Sequence, residues 1–273
     1  MDWNKAKTIL IIAFVILDIF LVSQVISIRN SSTPSTSFEM IKERLSEKGI
    51  EVAIDVVGEE LSLALLEVEY MTYDGESKEI NEFLGESVNE LIENEYYVND
   101  SGQSIQIKQG KKLTFLARDI ESYAESNMND EAEQIASFSR QYNINLDGFI
   151  RIGSYMVDNI NNILYKETYQ GYTIENSYYK FIQDGSGLVG FEMQRIRNLR
   201  ETQANIELSK PEEALLRLLK FNDIKGESVI GMDICYYRDE ELIDWGEIVV
   251  DNLEPTWKVL FESGIVKYLL EFE

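Results

Sequence analysis

Carboxylates are the main chemical resource of this chain. Its 273 residues hold 49 Asp and Glu against 25 Lys and Arg, and no histidine. Two acids about 5–10 Å apart would serve a glycosidase, but so many acids offer pairs everywhere and single out none. Without His there is no Ser-His-Asp or Cys-His catalysis, no imidazole metal ligand and no histidine pH switch. Cys235 stands alone, which excludes an internal disulfide and every multi-cysteine zinc pattern. A formal net charge of −24 excludes nucleic acid as a partner, because phosphate neutralisation needs clustered Lys and Arg.

Two motifs match chemistry on spacing alone. Gly185, Gly187 and Gly190 fit the dinucleotide pattern GxGxxG, which works only between a strand and a helix. The residues after it, Phe191 to Ile196, alternate like a strand, so a hairpin turn is expected. Asn143 to Ser154 resembles part of a calcium-binding loop, with Gly148 at its sixth position. Its first position is Asn and its twelfth is Ser, where a bidentate Glu is needed, so a helix-to-strand loop is expected. Asp239-Glu240-Glu241 and Glu59-Glu60 read as solvated turns. Tyr165, Tyr169, Tyr172, Tyr178, Tyr179 and Phe181 read as a core face with cross-strand pairs rather than a ligand groove. Cys235 reads as a small packing residue. No catalytic, cofactor or metal site emerges.

The remaining candidate is a charge in an apolar run. Residues 8–28, TILIIAFVILDIFLVSQVISI, are long enough to span a bilayer as a helix. Lys5 and Lys7 precede the run, so residues 1–7 are expected in the cytoplasm and the C-terminal domain outside. The run is too long for a signal peptide and lacks a small-residue cleavage site, so an uncleaved single-pass anchor in the cell membrane is expected. Asp18 falls near its midpoint, where an ionised carboxylate costs about 2.5–3.5 kcal/mol. Helical spacing groups it with Ile11, Phe14, Val15, Leu21, Val22 and Val25, a face suited to a partner helix within the bilayer. Residues 30–273 carry 22 basic and 47 acidic side chains, so the acidity belongs to the outer domain.

The elements that follow read as α+β. A polar tether covers residues 29–37. Ser37 is placed to cap a helix from Phe38 to about Lys48, with Gly49 as its stop. Strands are expected at 50–57 and 61–73 around Gly58, a helix at 77–93, and a hairpin at 103–118 broken at Gln109-Gly110. A helix over 119–142 precedes a meander at 148–156, 162–169, 172–183 and 188–197. Ser209, Pro211 and Glu212 then read as a capping box opening a helix to about Phe221. Strands at 228–238, 241–251, 256–262 and 265–272 complete the chain. The expected layout is a first lobe at 38–118 and a second at 119–273, in which a helix-plus-antiparallel-meander unit is used twice, at 119–200 and 206–273.

The opening Met1-Asp2-Trp3-Asn4-Lys5-Ala6-Lys7-Thr8-Ile9, running into Leu17-Asp18-Ile19-Phe20-Leu21, is similar to the YycI (WalI) family. These are accessory membrane proteins of the WalK–WalR two-component system in low-GC Gram-positive bacteria. The layout of helix, meander, Pro255-Thr256-Trp257 and terminal hairpin also resembles the repeated domains of YycI and its relative YycH. The resemblance implies a non-enzymatic regulator without a cofactor. It implies association with a WalK-like sensor histidine kinase and a YycH-like protein, chiefly through membrane helices, in control of cell-wall metabolism. Two other readings stand beside it: an anchored binding module or chaperone for a peptide or envelope protein, acting through sheet edges or the tyrosines, and a hydrolase working with carboxylates alone.

Overall fold

The computed structural model describes residues 38–56, 58–117, 131–240 and 248–271. The expected membrane helix, with Asp18, Phe14, Val15, Leu21, Val22 and Val25, lies outside the described residues. So do Ser37 and the first part of the helix expected at 119–142. No helix among the described residues is long and apolar enough to cross a membrane.

The described chain is α+β, mostly sheet. Helix α1, Phe38–Ser46, buries Ile41 and Leu45 on one face, and the chain leaves it where Gly49 takes a φ of 78°. Strand β1 is only Glu51–Val52 and runs parallel to β12, Ser228–Tyr237. It forms no hairpin with β2, Leu61–Tyr70, which lies between β11, Ile196–Leu208, and β13, Val250–Phe261. The two strands expected on either side of Gly58 therefore do not pair with each other. Alternation alone carries no partner, and β2 finds its partners far along the chain.

The expected helix 77–93 ends early. Helix α2 is Lys78–Leu84, and Gly85 at φ 78° turns the chain into strand β3, Val88–Ile92. Val88, Leu91 and Ile92 had fitted the helical period, yet Leu91 and Ile92 stand exposed on that strand. Strands β4, Tyr96–Asn99, β5, Ser104–Lys108, and β6, Lys112–Leu116, continue the sheet. Gln109 and Gly110, both at positive φ, make the tight turn expected between β5 and β6.

Helix α3, Glu131–Gln141, leads into β7, Phe149–Val157, β8, Ile160–Tyr169, β9, Tyr172–Asp184, and β10, Gly187–Gln194. This meander follows expectation; β11 does not. Its thirteen residues are mostly polar and exposed, so their pattern reads as a loop. Helix α4, Pro211–Ala214, tightens into a 3₁₀ turn over Leu215–Lys220. The cap box fails: Lys210 is the N-cap, and the Ser209 hydroxyl donates to Glu271 instead. Finally β13 runs unbroken through Pro255, where two strands, 241–251 and 256–262, were expected; residues 241–247 lie outside the described residues. Along one edge β13 pairs with β2 over 250–253 and with β14, Val266–Leu269, over 257–260. Pro255 falls between those two partners, where the missing N–H costs nothing.

The strands form one path, β11-β2-β13-β12-β9-β10-β6-β5-β4-β3, with β14 on β13 and the β7–β8 hairpin on β9. Three apolar clusters hold it. One gathers Phe115, Phe181 and Phe191 with Ile105 and Phe138; a second gathers Ile41, Leu45, Leu218 and Phe261; a third gathers Leu66, Tyr70, Ile174 and Tyr236. Each such side chain contributes about 1.5–3 kcal/mol by burial. Residues 38–117 are divided among these clusters: α1 and β1 join the second, α2 and β4–β6 the first, and β2 the third.

Candidate functional site

The sheet narrows to a seam where β9 meets β12. Only Cys235↔Thr173 and Tyr236↔Ile174 pair there, in parallel. Immediately afterwards β9 loses register with β8, from Glu167↔Ile174 to Lys166↔Tyr178. Three residues, Glu175, Asn176 and Ser177, are left over as a bulge, and all three are buried. Bulges re-aim side chains, and here each of the three finds its own polar partners.

Glu175 lies on the face that β8, β13 and β14 share. Its Oε1 accepts hydrogen bonds from Lys258 Nζ at 2.9 Å and Thr173 Oγ1 at 3.0 Å. Its Oε2 accepts from Tyr268 Oη at 2.6 Å and from Lys166 Nζ, which also donates to the Glu175 carbonyl at 3.1 Å. Burial on its own would raise the carboxyl, but the two ammonium groups and their hydrogen bonds outweigh it and hold Glu175 at about 2. Burial also lowers Lys166, against the pull of Glu175, and raises the Tyr268 phenol. Such a carboxylate is too acidic to take up protons near neutral pH. It serves instead to join Lys166 of β8, Lys258 of β13 and Tyr268 of β14 through one carboxylate.

Asn176 and Ser177 point to other partners. Asn176 exchanges two hydrogen bonds with the backbone of Arg238 and donates to Glu240 Oε1 at 2.9 Å. Glu240 also accepts from Gln194 Nε2 at 2.8 Å and Lys112 Nζ at 2.7 Å. Glu240, expected in a solvated turn, thus ties β6, β9 and β10 together. Ser177 donates to Glu167. Nearby, Tyr237 and Tyr268 stack at 3.8 Å with their rings 11° apart.

Two concavities flank the cluster. A groove of about 990 Å³ runs between the β7–β8 hairpin and β12–β14, with Lys166, Glu175 and Lys258 in its lining. A smaller cleft of about 530 Å³ lies beside it, sharing Glu175, Val266 and Tyr268 and reaching Arg238 and Lys267. Among the described residues no group of three or more Cys, Asp or Glu is placed to hold a metal ion.

The other residues singled out in the sequence fall as follows. Gly185 and Gly187 lie in the β9–β10 hairpin, and a Cβ at Gly190 would meet the Phe115 carbonyl oxygen at 2.1 Å, so that glycine serves strand packing. Asn143 to Gly148 link α3 to β7. Tyr179 and Phe181 are core, and Tyr169 and Tyr172 pack edge-on against Tyr236. Cys235 is fully buried beside Glu175, and burial raises its thiol. The bulge escaped sequence reasoning. Its signal was Glu175-Asn176-Ser177, three consecutive polar residues inside an aromatic strand.

No family model and no curated protein matches this sequence. Solved structures do. YycH from Bacillus subtilis aligns over 80% of this chain with a TM-score of 0.56 and 10% identity. The chain covers 56% of that structure's length. An uncharacterized protein from Eubacterium rectale aligns over 85% of this chain and 94% of its own, with a TM-score of 0.45 and 12% identity. The C-terminal domain of Bacillus megaterium YpeB aligns over 86% and 98%, with a TM-score of 0.37 and 12% identity. The described domain is therefore distantly similar in fold to YycH.

Proposed function

We propose that this chain is a non-enzymatic, membrane-anchored regulator of the YycI kind. On this reading residues 8–28 span the cell membrane, residues 1–7 face the cytoplasm, and the acidic α+β domain lies outside. The anchor helix binds a WalK-like sensor histidine kinase and a YycH-like protein, and the complex adjusts two-component signalling in cell-wall homeostasis. One observation carries the reading: the segment Met1–Ile9 running into an apolar stretch with Asp18 at its middle. The YycH-like fold of the outer domain supports it.

In this reading Asp18 is neutral or hydrogen-bonded to a polar group on the partner's helix, flanked by Phe14, Val15, Leu21, Val22 and Val25. Two variants of the full chain test it, by co-purification with the kinase from membranes. Replacing residues 8–28 with an unrelated apolar helix is expected to abolish association, and Asp18→Leu to weaken it. Undiminished association and signalling in both would overturn the proposal.

The groove beside β7 favours a second reading, in which the outer domain also works as a binding module. That reading does not depend on the anchor.

A further inference from the structure

Three Asp-Gly pairs occur in the chain, Asp74-Gly75, Asp147-Gly148 and Asp184-Gly185, and all three lie among the described residues. The pair has a chemistry of its own. A glycine has no side chain to shield its backbone nitrogen, so that nitrogen can reach the carboxyl carbon of the preceding aspartate within one molecule. The reaction needs a carboxyl free to turn, an N–H that no acceptor holds, and room for the peptide plane to rotate. The fold grants these unequally.

Asp184 is fixed and buried. It is 2% exposed, and its Oδ1 accepts from both the N–H and the Oγ of Ser186 at 2.8 Å. Asp74 is exposed, but both reacting groups are held. Its Oδ1 accepts from the Glu76 N–H and from Ser77 Oγ, each at 3.0 Å. The nucleophile itself, the Gly75 N–H, donates to Asn94 Oδ1 at 3.0 Å. A Cβ built on Gly75 would meet Asn94 Oδ1 at 3.1 Å and Tyr97 Oη at 3.2 Å, so that peptide is also crowded.

Asp147 is the open case. It and Gly148 are exposed, in a turn closed by the Phe149 N–H donating to the Leu146 carbonyl at 3.0 Å. The backbone N–H of Asp147 is held by Asn145 Oδ1 at 2.8 Å. Among the described residues its carboxylate accepts no hydrogen bond, and the Gly148 N–H has no acceptor. Gly148 has a φ of 80°, and a Cβ built on it would meet nothing within 4 Å.

We infer that Asp147 is a site of spontaneous isoaspartate formation, through a succinimide closed by the Gly148 nitrogen. That nitrogen bonds to Asp147 Cγ and gives up its proton, and the carboxyl hydroxyl leaves with the proton as water. Water then adds to either carbonyl of the ring. Opening at Cγ restores aspartate; opening at the main-chain carbonyl carries the chain through the side chain as isoaspartate. Nothing is oxidised or reduced, and the mass returns to its starting value. The product lengthens the main chain by a carbon between α3 and β7. It does so beside the Gly148 carbonyl, which accepts from the Thr168 N–H at 2.9 Å and Oγ1 at 3.0 Å. The inference is independent of the kinase reading and of the membrane helix.

The test ages the full-length chain in detergent at neutral pH and body temperature for several weeks, and maps isoaspartate by fragmentation of peptides of unchanged mass. Isoaspartate is expected at 147, with Asp74 and Asp184 converting at least about tenfold more slowly because each must first break its hydrogen bonds. In guanidinium chloride the three pairs are expected to convert at similar rates. Asp147→Glu, which would have to close a larger ring, is expected to keep the melting temperature and lose the isoaspartate at that position. Absence of isoaspartate at 147, equal conversion of the three pairs in the folded chain, or the same preference for 147 in guanidinium chloride would overturn the inference.

Discussion

Asn176 and Arg238, 62 positions apart, hold each other as two strand residues would. The Arg238 backbone N–H donates to Asn176 Oδ1 at 2.8 Å, and Asn176 Nδ2 donates to the Arg238 carbonyl at 2.9 Å. A side-chain amide thus continues the β9–β12 ladder where the backbone of β9 has bulged away.

Replacing that amide tests the clasp. Asn176→Ala is expected to cost about 1–3 kcal/mol, since it removes the partner of both the backbone N–H and the carbonyl of Arg238. Asn176→Asp is expected to cost more, because it turns a donor into a charge facing a carbonyl and the Glu240 carboxylate. Urea unfolding of both variants measures the difference, and an aspartate variant as stable as wild type would contradict it.

Glu175 gives a pH prediction whose sign follows from its environment. Its carboxyl is held at about 2 in the fold, against an ordinary 4.5. The stabilisation is therefore complete above pH 4.5 and is lost as pH falls from there toward 2. Glu175→Gln is expected to remove this part of the acid sensitivity and to cost about 3–5 kcal/mol at neutral pH, by leaving the buried Lys166 and the part-buried Lys258 without their carboxylate. Denaturant titrations at a series of pH values check both effects.

Two glycines of the same sheet are expected to respond oppositely to a methyl group. At Gly190 it would press on the Phe115 carbonyl oxygen at 2.1 Å, so Gly190→Ala is expected to cost about 1–3 kcal/mol or more. At Gly153 it enters open space, so Gly153→Ala is expected to be neutral or slightly stabilising. Thermal melts of the pair decide the matter.

The start of α4 offers a choice between two partners of one hydroxyl. Ser209 donates from both its backbone N–H and its Oγ to Glu271 Oε1, at 2.9 and 3.0 Å, and accepts from Arg217 Nη2 at 3.1 Å. A double-mutant cycle of Ser209→Ala with Glu271→Gln is expected to show coupling of about 0.5–3 kcal/mol. The same cycle with Glu212→Gln is expected to show none, whereas a capping box would reverse the two results.

What the chain reveals on reading depends on how local the cause is. Gln109-Gly110 and Gln170-Gly171 announce their turns because each glycine takes positive φ without steric cost. The meander strands from Phe149 to Gln194 follow from their alternation and these turns. Leu91 and Ile92 mislead, because a helical period over 77–93 takes no account of Gly85. Strand β11 is hidden because its partner, not its composition, makes it a strand. Glu175 is hidden for a different reason. Its importance lies in Lys166, Lys258 and Tyr268, which come from three other strands, and one carboxylate among 49 acids carries no mark of that company.

The placement of β2 bears on how the chain is made. Leu61–Tyr70 leaves the ribosome early, yet its neighbours are Ile196–Leu208 and Val250–Leu253. At about 5–20 residues per second the first neighbour follows on the order of ten seconds later. Through that interval an apolar strand has nothing to pair with. Nascent chains halted before residue 196 are therefore expected to bind chaperones through 61–70, and chains halted after 261 to release them.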